Sequence, residues 1–206
     1  MKIINKLPEY NESRHEELLN DQWNPLKEPQ KVLTAILLSV PLMFLCALIS
    51  TGIIKLFSDF SLSEYGWTDN TFSLTITIDF GIIFSLIILL IIHEFLHLIF
   101  IPNFLRSEKT YVGVTTFGGF VVCEEEISKT RFICISLAPF FLLSVLLPII
   151  LGLLGLLTPL LKFLIILNAL GSSVDLLNLL LVWKQVPRDG LLISNGPKTY
   201  WKQQNG

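Results

Sequence analysis

Four long apolar runs separated by polar stretches set the pattern of this chain: residues 32–57, 74–101, 132–157 and 160–183. At about 1.5 Å per residue, each is long enough as a helix to cross a hydrocarbon core of about 30 Å. Between the second and third runs the pattern changes. Thr110-Tyr111-Val112-Gly113-Val114-Thr115-Thr116-Phe117 and Phe120-Val121-Val122-Cys123 are rich in β-branched and aromatic residues. With Gly118-Gly119 between them they predict a β-hairpin turning at the two glycines. The flanks, 1–31 and 184–206, are polar and read as water-exposed tails. Pro8, Pro25 and Pro29 interrupt the first of them, leaving room for one short helix around Arg14 to Leu19, with His15 as a solvated histidine. Pro41 is expected to kink the first span, and Pro139, Pro148, Gly152 and Gly155 to bend the third or let it pack closely. The expected fold is an all-α membrane protein: four transmembrane helices, both termini cytoplasmic, and a β-hairpin between the second and third spans.

Composition supports the membrane reading. With 52% hydrophobic and only 16% charged residues, the chain is too apolar for a soluble domain of its length. A net charge of −2 and the lack of a Lys/Arg cluster interleaved with aromatics argue against a nucleic-acid partner and leave the lipid bilayer. Cys46, Cys123 and Cys134 are scattered and odd in number, so neither a disulfide framework nor a thiolate metal site is expected. The polar start and the length of the first apolar run predict a retained span rather than a cleaved signal. Positive charges give the orientation. Lys2, Lys6, Arg14, Lys27 and Lys31 precede the first span, Arg106, Lys109, Lys129 and Arg131 lie between the second and third, and Lys184, Arg188, Lys198 and Lys202 follow the fourth. The stretch 58–73 carries Asp59, Glu64 and Asp69 but no Lys or Arg, with Tyr65 and Trp67 as expected interface anchors. Both termini and the hairpin connection are therefore expected in the cytoplasm.

Within the second span, His93-Glu94-Phe95-Leu96-His97 sets three ionisable residues in an apolar run, a costly placement that marks functional sites. At about 100° per residue the histidines lie about 40° apart and one turn apart, and Glu94 about 60° from His97. In an H-E-x-x-H arrangement two neutral imidazoles bind Zn²⁺, and the glutamate takes a proton from the attacking water. Asp79, about 21 Å along the helix from His93, is too far to share the metal and is expected near the outer interface. A catalytic zinc usually has three protein ligands. In the fourth span Asn168, Gly171, Ser172, Asp175 and Asn178 recur every three or four residues as a small and polar stripe. Asp175 lies at a depth similar to that of His93, about eight residues from the end of its span, and is the first candidate. Asp189, in a Pro187-Arg188-Asp189-Gly190 turn, is the alternative third ligand, followed by the run Glu124, Glu125 and Glu126. Asn168, Ser172 and Asn178 are candidates to hold Asp175, and either asparagine could donate a hydrogen bond during reaction.

The chain resembles the "putative zincin peptidase" family of small bacterial membrane proteins, related to the site-2 protease type of intramembrane metalloprotease. The resemblance rests on His93-Glu94-Phe95-Leu96-His97, on Ile127-Ser128-Lys129-Thr130-Arg131-Phe132 leading into Leu137-Ala138-Pro139-Phe140, and on Gly171-Ser172-Ser173-Val174-Asp175-Leu176. Site-2 proteases usually present their late aspartate in an Asn-Pro…Asp-Gly context, whereas Leu176 follows Asp175 here. The resemblance implies His93, His97 and Asp175 as zinc ligands and Glu94 as the catalytic base. The expected activity is that of a zinc-dependent endopeptidase of the bacterial cell membrane, its site toward the cytoplasm, cutting a membrane or membrane-adjacent protein or peptide. Such a substrate must arrive extended, and the hairpin edge could hold it by strand addition. A non-catalytic metal-binding scaffold or sensor is the alternative, and Glu94 speaks against it. An ion-relay transporter finds no support, since no internal repeat is evident.

Overall fold

The computed structural model describes residues 1–59, 67–68, 73–74, 80–115 and 118–204. Tyr65, the Trp67 side chain, Asp79 and the Thr116-Phe117 pair lie outside the described residues. The elements in order are β1 (Lys2–Ile3), α1 (Glu12–Asn20), β2 (Asn24–Pro25), α2 (Val32–Phe57), β3 (Trp67–Thr68), β4 (Ser73–Leu74), α3 (Phe80–Ile99), β5 (Thr110–Thr115), β6 (Gly118–Cys123), β7 (Ile127–Ser128) and α4 (Lys129–Pro139). A π-helical segment (Phe140–Leu146) then leads into α5 (Leu147–Leu153), α6 (Pro159–Gly171), α7 (Ser173–Gln185), β8 (Gly190–Asn195) and β9 (Lys198–Gln203). Among the described residues, four helical stretches are long and apolar enough to cross a membrane: Val32–Phe57, Phe80–Ile99, Lys129–Leu153 and Pro159–Gln185.

The protein is mostly helical, but it is not all-α, and this corrects the expected fold class. Among the described residues, β1, β5 and β6 form one sheet and β2, β9, β8 and β7 another, in those orders. The polar flanks supply four of these strands. Asn195-Gly196 between two apolar-alternating stretches is a hairpin signal that the reading of 184–206 as a tail passed over. Gly196 takes φ 58°, and Asn195 pairs with Lys198 across it. The hairpin between the second and third spans forms, but Gly118-Gly119 does not turn it. Thr115 pairs with Gly118 and Val114 with Gly119, so both glycines belong to β6.

The chain divides into two compact units, the divisions falling inside helices: Met1–Ser39, Glu94–Ala138 and Val174–Gly206 make one, Val40–His93 and Pro139–Ser173 the other. The first is held by two apolar clusters. Leu26, Leu98, Ile101, Cys123, Ile127, Val182, Val186 and Leu192 form one, and Leu18, Trp23, Ile193 and Tyr200 the other. The N-terminal segment is therefore packed rather than trailing. Asn11 and Asn195 exchange backbone-to-amide hydrogen bonds of 3.1 and 2.9 Å, and Lys27 and Gln185 do so at 2.8 and 3.0 Å. His15, expected to be solvated, sits half-buried with Nδ1 2.7 Å from the Tyr200 hydroxyl. Lys129 is buried and donates to the carbonyls of Trp183 and Val186, satisfying orphan acceptors at the C-terminal end of α7.

The second unit consists of helix segments tied by buried polar bonds. Ser50 donates to the Ser144 carbonyl and Ser144 to the Ile165 carbonyl, each at 3.1 Å. The third span is irregular where the prolines predicted, with a π-helical segment starting just after Pro139. At Gly152 a β-carbon would overlap the Phe57 ring, so this glycine lets two helices approach closely. Gly155, at φ 69°, ends α5, with Leu156 N–H bonded to the Leu151 carbonyl.

Glu28 offers a test of the N-terminal docking. Its carboxylate accepts the Thr199 N–H at 2.6 Å, and burial pushes its pKa up from 4.5 to about 7. Between these values the folded state binds the extra proton, so Glu28's contribution to stability is full below pH 4.5 and is lost as pH rises to about 7. Glu28→Gln keeps an acceptor for Thr199 without the charge. Its thermal midpoint is expected to gain on the wild type progressively across that window, and parallel midpoints at every pH would refute the assignment.

Candidate metal centre

His93 and His97 stand one turn apart on α3, and Asp175 lies in the first turn of α7. One ligating atom from each of the three lies within 4.8 Å of the others. His97 is buried and the other two are half-buried. His97 Nε2 is 3.5 Å from Asp175 Oδ2.

The neighbouring hydrogen bonds fix which nitrogen of each ring faces its neighbours. His97 Nδ1 is 2.8 Å from the Ile135 carbonyl oxygen, which can only accept, so Nδ1 carries a proton and Nε2 is the nitrogen turned to Asp175. His93 Nδ1 is 2.9 Å from Asn168 Oδ1. The Asn168 amide has no freedom to flip: its Nδ2 donates to the Pro139 carbonyl at 3.1 Å and to the Ser144 hydroxyl at 2.9 Å. Because the Pro139 carbonyl cannot donate, the nitrogen must face it and Oδ1 must face His93. His93 therefore also carries a proton on Nδ1, so Nε2 is the nitrogen it would offer a metal. Pro139 and Ser144 are five residues apart, one turn of a π-helix, which sets a carbonyl and a hydroxyl on the same side of the span.

Two imidazoles and a carboxylate at this spacing match the donor set of a three-ligand zinc site. The donors fit the ion on their chemistry: each ring turns Nδ1 to an oxygen acceptor, which leaves Nε2 to coordinate, and the carboxylate supplies oxygen. Glu94 is half-buried next to this pair on α3. It lies against β6, where a β-carbon on Gly119 would overlap its Cγ, Cδ and Oε1. Glycine in the interior of this strand lets the backbone approach the carboxylate.

The remaining candidates fall elsewhere. Asn168 is bonded to His93. The Ser172 hydroxyl bonds the Asn168 carbonyl at 2.9 Å, and Asn178 is half-buried one turn beyond Asp175 on α7. Asp189 is exposed in the turn before β8, its carbonyl accepting the Gln204 N–H, and it is not part of the group. Glu124 accepts the Gly196 N–H and Glu125 the Ser107 hydroxyl, so two of the three glutamates serve local structure. The Ile135 carbonyl has no sequence signal, because any residue supplies one. Gly119 had a signal, a glycine among strand-forming residues, but a turn explained it as well as a close approach did.

A model of the family described as "Putative zincin peptidase" matches residues 86–189, half of the chain, a range that includes His93, Glu94, His97, Asn168 and Asp175. No curated protein and no solved structure matches the chain.

Asn168→Leu is close in size but removes the acceptor that holds the His93 ring. Loss of such an outer partner costs about 10–100-fold in metal affinity. Zinc affinity measured by competition with a chromophoric chelator is expected to fall within that range for Asn168→Leu and to stay unchanged for Asp189→Ala. Equal affinities for the wild type and Asn168→Leu would contradict the role given to the amide.

Proposed function

The chain belongs to the "putative zincin peptidase" family, and from that premise we propose that it is a multi-pass membrane endopeptidase that uses zinc. His93, His97 and Asp175 would hold the ion and Glu94 would act as the base. The grouping of Asp175 with two histidines, each held at Nδ1 by an oxygen acceptor, beside a glutamate, supports this reading most strongly. When bound there, zinc supplies Lewis acidity, polarising a peptide carbonyl and making water acidic enough to give up a proton near neutral pH. The rest is the work of the chain. Glu94 accepts the proton of the attacking water and delivers it to the leaving amine. The Ile135 carbonyl and the Asn168 amide keep the imidazole rings from turning while this happens. Gly119 keeps β6 close to the Glu94 carboxylate without crowding it.

The hairpin offers a place for an extended substrate. The Ile4 N–H bonds the Val112 carbonyl at 3.0 Å, so Val112 turns its polar groups toward β1 and away from β6. Val121 is directly opposite Val112, and antiparallel geometry then points the N–H and C=O of Val121, and of Gly119 two residues before it, to the outer side of β6. Among the described residues β6 is the end strand of its sheet. A peptide added along Gly119 to Val121 would run past Glu94 with its carbonyls exposed. The distribution of Lys and Arg supports cytoplasmic termini, and so a cytoplasmic approach to this edge.

Membranes incubated with zinc-loaded protein in detergent, followed by labelling of new N-termini, test the activity. Wild type is expected to generate new termini. Glu94→Gln is expected to keep its zinc and lose about 10²-fold or more of the cleavage, and Val121→Pro, which removes only an edge donor, to weaken cleavage with zinc retained. Stoichiometric zinc with no cleavage of any membrane protein would leave a metal-binding scaffold, and cleavage surviving Glu94→Gln would remove Glu94 as the base.

A further inference from the structure

The hairpin that approaches Glu94 has a feature the peptidase reading does not use. A hairpin of two strands is marginal by itself in water and gains stability from a third strand or from packing on a helix. Here the third strand comes from the far end of the sequence. β1 runs parallel to β5, with Lys2 opposite Tyr111 and Ile3 opposite Val112, and the Ile4 N–H continues the ladder to the Val112 carbonyl. Both residues of β1 are exposed, Ile3 to 77%, so the strand is attached almost wholly by backbone bonds and buries little apolar surface. An element held in this way belongs to the low-stability end of a fold.

Two glycines show that this attachment is accommodated by the sheets. A β-carbon on Gly113, the β5 residue next to Val112, would run into the Ile4 carbonyl and, less severely, the Phe120 ring, so glycine leaves both the N-terminal segment and that ring their places. At Gly196, in the β8–β9 connection, a β-carbon would meet the backbone of Pro8 and Glu9. From there the segment is anchored by the Asn11–Asn195 pair and by Leu18, Trp23 and Leu26. Its first seven residues can leave the hairpin while everything from Pro8 onward stays docked.

We propose that β1 is a detachable clasp that holds the β5–β6 hairpin against Glu94, so that its attachment and release set whether the base and the substrate edge are aligned. With β1 in place the sheet has three strands, and Gly119 is fixed beside the carboxylate. With β1 released the hairpin reverts to two strands, still held at Cys123, Val112 and Val121 by the cluster around Leu98 but less firmly positioned at its Gly119 end. The catalytic consequence rests on the peptidase reading, whereas the mechanical part does not.

Two variants release the clasp from opposite sides. Ile4→Pro removes the N–H that bonds Val112, and Gly113→Ala puts a methyl group where the Ile4 carbonyl passes. Hydrogen exchange followed by mass spectrometry reads the hairpin, and carbodiimide labelling reads the accessibility of the Glu94 carboxylate. Both variants are expected to raise exchange about tenfold in peptides covering β5 and β6 and to raise Glu94 labelling several-fold. Exchange in β8 and β9 and zinc content should match the wild type. Unchanged hairpin exchange or unchanged Glu94 labelling in Ile4→Pro would overturn the clasp. Once a substrate is known, cleavage should fall with release, and a rise would instead make β1 a competitor of the substrate. A wild type that binds zinc but cleaves nothing would count against the peptidase reading alone, since exchange and labelling still decide the clasp.

Discussion

An amide buried among apolar helices must satisfy its donors and acceptor locally, because an unpaired polar group there costs a few kcal/mol. Asn168, 3% exposed, satisfies all of its groups in one arrangement: nitrogen to Pro139 and Ser144, oxygen to His93. That arrangement sets the tautomer of one metal ligand. It also depends on the π-helical segment that places the Pro139 carbonyl and the Ser144 hydroxyl side by side. Ser144 is itself bonded at its hydroxyl to Ile165 and at its carbonyl by Ser50. The polar groups of these helices thus form one connected chain ending at His93, which links the irregular third span to the orientation of that ring.

Next to Glu94 the neighbouring element is a sheet. Glu94 borders a strand whose glycine permits contact, and that strand's sheet is completed by residues near the start of the chain. Bonds between residues distant in sequence, such as Asn11 with Asn195 and Lys27 with Gln185, turn two polar flanks into the support for the hairpin. The candidate metal ligands sit on helices, and the strand beside Glu94 belongs to a three-stranded sheet.

The sequence made some of this plain. Spans of bilayer length are legible because apolar length is itself the physical requirement, and His93-Glu94-Phe95-Leu96-His97 because ionisable residues in such a span need a reason. Asp175 was legible as a carboxylate on a polar stripe, but its rival Asp189 could be set aside only once the turn before β8 was seen to be exposed. The bond of Asn168 to His93 has no signature in the stripe, which spans the end of α6 at Gly171 and the start of α7 at Ser173. The flanks were read as tails because their polar residues have no periodicity, and their partners lie too far along the sequence for any local pattern to announce them. Gly118-Gly119 was ambiguous from the start: two glycines serve a turn or a close approach equally well, and only the position of Glu94 decides between them.

X-ray absorption at the zinc edge of the purified, zinc-loaded protein tests the central claim most directly, because it counts and identifies the ligand atoms without needing a substrate. The account predicts one zinc with two imidazole nitrogens and oxygen donors, all at about 2.0–2.2 Å, and loss of imidazole scattering in His93→Ala. Sulfur at about 2.3 Å, or a spectrum unchanged by His93→Ala, would place the metal elsewhere and contradict the account.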